Sequence, residues 1–150
     1  MRVWIAMMLS VILLSGCGAS TQVNNSGSGE QASSPLVGPR WILTLMGTDQ
    51  PWQGDDKAYF ELQPDGNGLR LSGSDGCNRL MGAVTLGEGR RIAISELASS
   101  RMACPGQAQS AQVSQLLSQA HRYLIDHDRL VLMGRDGHVL AGFRKTNKQG

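Results

Sequence analysis

The chain has 150 residues and a formal net charge of +2 at pH 7, from 14 Lys and Arg against 12 Asp and Glu. That length suits one domain with a single core. The near-balance of charge, with no basic run longer than a pair such as Arg90-Arg91, excludes the sequence-clustered cations on which a phosphate grip on nucleic acid depends.

Met1-Arg2 is a short positive start, and Val3 to Leu14 is an almost uninterrupted apolar run. Such a run is shorter than the ~20 residues a helix needs to cross a bilayer core. It reads as an export signal. Its ending, Leu14-Ser15-Gly16-Cys17, matches the bacterial lipobox, in which a lipid is attached to the thiol before cleavage ahead of the cysteine. The alternatives are an ordinary cleaved signal with a chance cysteine, or an uncleaved anchor. Residues 1–16 are therefore expected to be a signal peptide, Cys17 the lipidation site, and the membrane a partner through that anchor. Cleavage removes Arg2, leaving 13 basic against 12 acidic side chains. Gly18 follows the cysteine, rather than the Asp that favours inner-membrane retention in enteric-type bacteria. The expected location is thus the outer membrane, facing the periplasm.

Residues 17–35 are rich in Ser, Gly, Asn and Gln and bury almost nothing, so they are expected to form a flexible tether. By flexible-chain scaling it holds the domain some 20–25 Å from its anchor. The folded domain is expected over 36–148. Val37 to Leu45 opens it with an extended, Pro-marked start and a strand carrying Trp41, followed by a polar loop around Trp52. Two β-type runs joined by Asp-Gly and Asn-Gly chemistry, "KAYFELQ-PDGNG-LRLSG", predict a hairpin. "MGAVTL-GEGR-RIAIS" predicts a second, with Ile92 and Ile94 on one face. Residues 96–106 break the strand pattern. The stretch 107–125 reads as one helix, with Val113, Leu116, Leu117 and Ala120 on a single apolar stripe suited to core packing. "RLVLMG-RDGH-VLAGF" closes the chain as a third hairpin. The expected fold is mainly β (α+β): a single compact antiparallel β domain of hairpins with one packed α-helix.

Chemistry is sparse. His121, His127 and His138 have no metal-ligand spacing, and neither Cys77 nor Cys104 has a second cysteine two to four residues away, so no metal site is expected. No catalytic residue and no cofactor are expected either. A cysteine nucleophile would need a histidine brought close by the fold. Cys77 sits in "SGSDGCNRLMG", where Gly76 permits a close approach and Asn78 can hold the bend. With Cys17 lipidated, Cys77 and Cys104 are an even pair in an oxidising setting, where such pairs tend to close into a disulfide. Two reduced, buried cysteines acting as small apolar plugs are the alternative.

"GSDGCNRLMGAVTL", "IAISELASSRMACPG", the helix and the closing hairpin together resemble the META domain of HslJ-like bacterial envelope lipoproteins. Gly76, Cys77, Asn78, Gly82, Met102, Ala103, Cys104 and Pro105 match that family's pattern, as does Trp41 in its opening Trp-x-Leu. Ser99-Ser100-Arg101 departs from it, since the family often has Thr before the basic residue, but a hydroxyl remains available. The resemblance implies an antiparallel β fold with a helix, of the kind compared with secretin-pilot lipoproteins. It implies an envelope role tied to heat shock and novobiocin-like antibiotic tolerance, and brings no enzyme activity. Three functions stand side by side: a non-enzymatic lipoprotein that binds or stabilises an envelope partner, a pilot or chaperone carrying an acyl chain or hydrophobic peptide, and a periplasmic thiol enzyme or hydrolase.

Overall fold

The computed structural model describes residues 31, 33–105 and 108–146. The expected signal peptide, Cys17 and most of the tether lie outside these residues, as do Gly106, Gln107 and the last residues expected in the domain.

Nine strands and one helix follow each other as β1 (Arg40–Met46), β2 (Gln50–Pro51), β3 (Ala58–Asp65), β4 (Gly68–Asp75), β5 (Arg79–Gly87), β6 (Arg91–Ser99), α1 (Ser110–Ser118), β7 (Arg122–Asp126), β8 (Arg129–Met133) and β9 (Val139–Thr146). Every pairing is antiparallel, and β1 pairs with both β3 and β9. The hairpins therefore close into a barrel, with the two-residue β2 added beside the end of β1. Closure removes the free edges that an open stack of hairpins would expose.

Alternation along the strands fills the interior. Trp41, Phe60, Leu62, Leu71, Leu130 and Leu132 are fully buried. Phe60 and Phe143 meet edge to face with ring centroids 5.1 Å apart. Trp41 donates its indole N–H to the Leu36 carbonyl at 3.0 Å, so the residues just ahead of β1 are tied to the core. Leu36 is itself fully buried, and the Ser34 hydroxyl lies 3.3 Å from that of Tyr123.

Two expectations need correction. The helix covers Ser110–Ser118, not 107–125. Val113, Leu116 and Leu117 are buried within those nine residues, and a helix this short is held by packing rather than propensity. "RYLID" is instead strand β7, with half-buried Tyr123 and Ile125 alternating with exposed Arg122, Leu124 and Asp126. The two-residue turn His127-Asp128 joins it to β8, and His127 takes the left-handed φ of 54°. Secondly, β6 does not stop at 95. It runs to Ser99 by absorbing an extra residue, since Met81 pairs with Ala98 but Ala83 with Ser95. Glu96 (φ 52°) forms that bulge, and Gly82 lies opposite it, where a Cβ would come within 3.2 Å of the Ser95 carbonyl. Gly82 is thus a bulge glycine. The opening strand, by contrast, follows its extended start as expected and covers Arg40–Met46.

The barrel has two unlike rims. One carries the β3–β4, β5–β6 and β7–β8 turns. The other carries the Trp52 loop, the β4–β5 bend and the β8–β9 turn, and lies beside α1, which packs on β4 and β6.

Candidate functional site

The β4–β5 bend is built around a side chain that the sequence reading passed over. Asp75 ends β4 and is 1% exposed. Its Oδ1 accepts the backbone N–H groups of Cys77 (2.9 Å) and Asn78 (2.6 Å), while Oδ2 accepts the Asn78 side-chain amide (3.2 Å). The Asp75 N–H donates to the Asn78 carbonyl at 3.0 Å, closing the turn. The Asp75 carboxylate is therefore the hub of the bend, and the expected Asn78 amide supplies one of its three N–H donors. This is Asx-turn chemistry, strengthened because the acceptor is a carboxylate.

Gly76 has φ 91°, and a Cβ there would meet the Trp52 ring at 2.5 Å and the Asp56 carbonyl at 3.3 Å. The glycine is required twice, by its backbone conformation and by the indole lying against it. Trp52 is oriented by its own N–H, which donates to the Asp56 carbonyl at 3.0 Å.

Asn78 has a different task. Its Oδ1 accepts the Met102 backbone N–H at 2.7 Å, which clamps the segment after β6 onto the bend. Ser100 adds to the clamp, since its hydroxyl accepts the Arg79 N–H and its own N–H donates to the Arg79 carbonyl, both at 3.0 Å. The departure from the family's Thr keeps the one atom that this contact uses. Cys77 and Cys104, 27 positions apart in sequence, are joined in a disulfide with Cα atoms 6.0 Å apart. Further along, the Gln109 side chain accepts the Gln53 N–H at 2.9 Å. The stretch after Ser99 is thus tied to the barrel at Ser100, Met102, Cys104 and Gln109. Of the expected motif residues, Met102 acts here through its backbone, and the side chains of Met102, Ala103 and Pro105 are exposed.

Beside the bend, the outer face of β3–β5 forms a shallow trough. Ser72 and Ser74 of β4 make its floor. Register sets Tyr59 and Glu61 on one wall and Arg79 and Met81 on the other. Arg40 closes the first wall, with its Nε 2.6 Å from Glu61 Oε1 and its guanidinium 4.2 Å from the Tyr59 ring centroid. Met81 (56% exposed) and Met102 (61%) are two of the three large apolar side chains most open to solvent among the described residues.

The histidines are scattered. His127 Nδ1 lies 2.7 Å from Asp126 Oδ1 and His138 Nδ1 lies 2.7 Å from Asp136 Oδ2, each a neighbour on its own turn. The His138 ring and backbone N–H hold the exposed Asp136 carboxyl below the usual range. His121 lies past the helix end and lines an open cleft of about 570 Å³ with Ile92, Ile94 and Ala120. Among the described residues no group of three or more His, Cys, Asp or Glu is placed to hold a metal ion. Both thiols that a cysteine nucleophile would need are consumed in the bridge.

The sequence profile of the META domain matches residues 34–147, which takes in the bend, the clamp and the whole barrel. The chain belongs to the META domain family. META is the HslJ-type domain. Solved structures agree with this fold. An NMR structure of a protein from Burkholderia xenovorans superposes with a TM-score of 0.60 at 21% identity, covering 75% of this chain and 85% of that one. A crystal structure of a DUF4847 family protein from Bacteroides vulgatus superposes with a TM-score of 0.55 at 16% identity, covering 77% and 97%. A search of curated proteins gave no match. At these identities the likeness to the solved structures is one of fold. Among the described residues, the META domain of this chain is therefore an eight-stranded closed barrel, augmented by β2, with one short helix and one disulfide.

Proposed function

We propose that this META domain is the working part of a non-enzymatic, HslJ-like envelope lipoprotein. It is anchored through Cys17 and binds or stabilises an envelope partner, supporting stress or novobiocin-like antibiotic tolerance. The observation that carries the reading is the pairing of a side-chain-filled barrel with an external loop pinned by a disulfide and a hydrogen-bonded clamp. Such a body presents a rigid surface, and rigidity lowers the ordering cost of binding. The trough beside the clamp supports a protein partner, because its exposed thioethers, Met81 and Met102, are adaptable apolar contacts. The carrier reading has less support, since Trp41, Phe60 and the leucines occupy the space an internal acyl chain would need.

The test is complementation of a deletion strain, scored for antibiotic tolerance. Wild type is expected to restore tolerance and to label with an acyl probe. Cys17→Ser is expected to do neither. Single Ala replacements of His121, His127 and His138 are expected to restore tolerance fully. Loss of tolerance through one histidine, at unchanged thermal stability, would overturn the non-enzymatic reading. Wild-type protein that takes no acyl label would overturn the anchor.

A further inference from the structure

The cations that the sequence spreads along the chain are gathered by the fold. Arg91 of β6 and Arg122 of β7 are direct cross-strand partners, and theirs is the single register pair between those strands. Both are exposed, and Arg90 stands next to them in the turn, its carbonyl accepting the Tyr123 N–H at 3.0 Å. Arg129 of β8 and Arg144 of β9 form a second cross-strand pair. Like charges placed directly opposite each other destabilise a sheet. Among the described residues, no carboxylate lies within ion-pair distance of Arg90, Arg91, Arg122 or Arg129. The acids nearest in the β7–β8 turn are already engaged, Asp126 by His127 at 2.7 Å and Asp128 by Arg144 at 3.5 Å. Glu88 lies in the β5–β6 turn, and Asp136, held by the His138 ring and backbone N–H, lines the cleft beside Ile92 and His121.

An apolar strip lies between the arginine pairs. Register places Arg91, Arg122 and Met133 in one row across the outer face, Leu124, Val131 and Gly142 in the next, and Asp126, Arg129 and Arg144 in the third. Leu124 is 45% exposed, the third of the large apolar side chains left open to solvent among the described residues. Beside the β4–β5 bend, by contrast, Lys57 and Arg79 lie in the trough together with Asp55 and Asp56.

We propose that the outer face of β7–β9, with Arg90 and Arg91 at its edge, docks on an anionic phospholipid surface. The arginines would meet lipid phosphates, which relieves the Arg91–Arg122 repulsion, and Leu124 would sit at the level of the headgroups. Arginine suits this task because its planar fork binds phosphate oxygens in pairs. The place where the chain joins the barrel fits as well. Ser34 reaches the hydroxyl of Tyr123, which lies on the inner side of β7, so the chain enters the barrel at the strand that carries Arg122 and Leu124. A lipid anchor ahead of that entry would bring this strand to the membrane. This proximity rests on the lipid-anchor reading, whereas the charge arrangement does not.

The test uses the full chain with an environment-sensitive fluorophore at Leu124→Cys, mixed with vesicles of phosphatidylcholine alone or with about a third phosphatidylglycerol, each doped with headgroup-region nitroxide lipid. Quenching and a blue shift are expected in the anionic vesicles and not in the neutral ones. Each cation near an anionic surface is worth roughly fivefold in the docked population, so Arg91→Gln, Arg122→Gln and Arg129→Gln together should lower it on the order of 100-fold. Raising the salt of the unsubstituted arginine background from about 0.1 to 0.5 M should act in the same direction, which keeps the test valid if the triple variant is unstable. A label at Arg101→Cys, near the opposite rim, should stay in water throughout. Equal quenching in both vesicle types, none in either, or insensitivity to both the triple variant and salt overturns the proposal and leaves the patch to an acidic protein. Flotation with neutral vesicles without quenching at 124 would keep the anchor and sink the docking face. Quenching that depends on phosphatidylglycerol in protein lacking an acyl label would do the reverse.

Discussion

Strand β6 has two neighbours and treats them differently. With β5 it forms a continuous ladder from Arg91 to Ser99, interrupted once by the Glu96 bulge, and the end of that ladder is fastened to the bend by Ser100, Asn78 and the disulfide. With β7 it shares one register pair, between two arginines, and two flanking backbone bonds, Ile92 N–H to the His121 carbonyl and Tyr123 N–H to the Arg90 carbonyl, both 3.0 Å. A closed barrel can tolerate such a seam because α1 packs on β6 where β7 has turned away. The contrast shows that closure of a sheet does not distribute stability evenly. The β5–β6 side is over-determined by polar and covalent ties, and the β6–β7 side is held mainly by its buried Ile92, Leu117 and Ala120.

The largest effect in this contrast should come from Asp75→Ala. The substitution removes the buried acceptor of three N–H donors in a half-buried bend, and unpaired buried donors cost about 1–3 kcal/mol each. A loss of roughly 4 kcal/mol, read as a shift in the urea midpoint, is expected. A loss below about 1 kcal/mol would mean that the bend does not depend on the carboxylate.

Replacing Cys77 and Cys104 together by Ala comes next. Closing a loop of 27 residues is worth about 3.5 kcal/mol in the chain-entropy model. The clamp from Asn78 to Met102 survives the double replacement, so the segment should stay near the bend while the unfolded state gains freedom. Protein taken from the periplasm and unfolded without reductant should show neither thiol reactive to alkylation. Full alkylation of both would remove the disulfide from the account.

The smallest effect lies at the seam and concerns rate rather than total stability. Amide exchange at Ile92 and Tyr123 is expected to be at least about tenfold faster than at residues of the β4–β5 ladder, because the seam can open without unfolding the barrel. Equal protection at the two sides would show that the barrel opens only as a whole.

Much of the strand content was legible because the alternation of apolar and polar residues and the Asp-Gly and Asn-Gly turns are local signals. The helix boundary was not. Apolar residues at helical spacing in 113–120 run into "RYLI" without a breaker, and only the pairing of 122–126 with β8 turns that segment into a strand. In the bend, Cys77, Asn78 and their glycine were visible as an unusual cluster. Asp75 was passed over because an acid at a strand end reads as solvation until its burial is known. The arginine face was hidden for a related reason, since Arg91 and Arg122 lie far apart in the chain and meet only across the seam.

By itself the sequence determined the hairpins, the apolar face of the helix, the cysteine pair available for a bridge and the META motif, because each depends on residues close together or on composition. Tertiary structure alone decided that the hairpins close through β1 and β9, where β6 stops pairing and α1 takes over, and which atoms Asp75 and Asn78 serve. It also decided that four arginines share one face. Those outcomes are set by register and burial between distant segments, and a one-residue slip in register would have turned each of these side chains to the other side of the sheet.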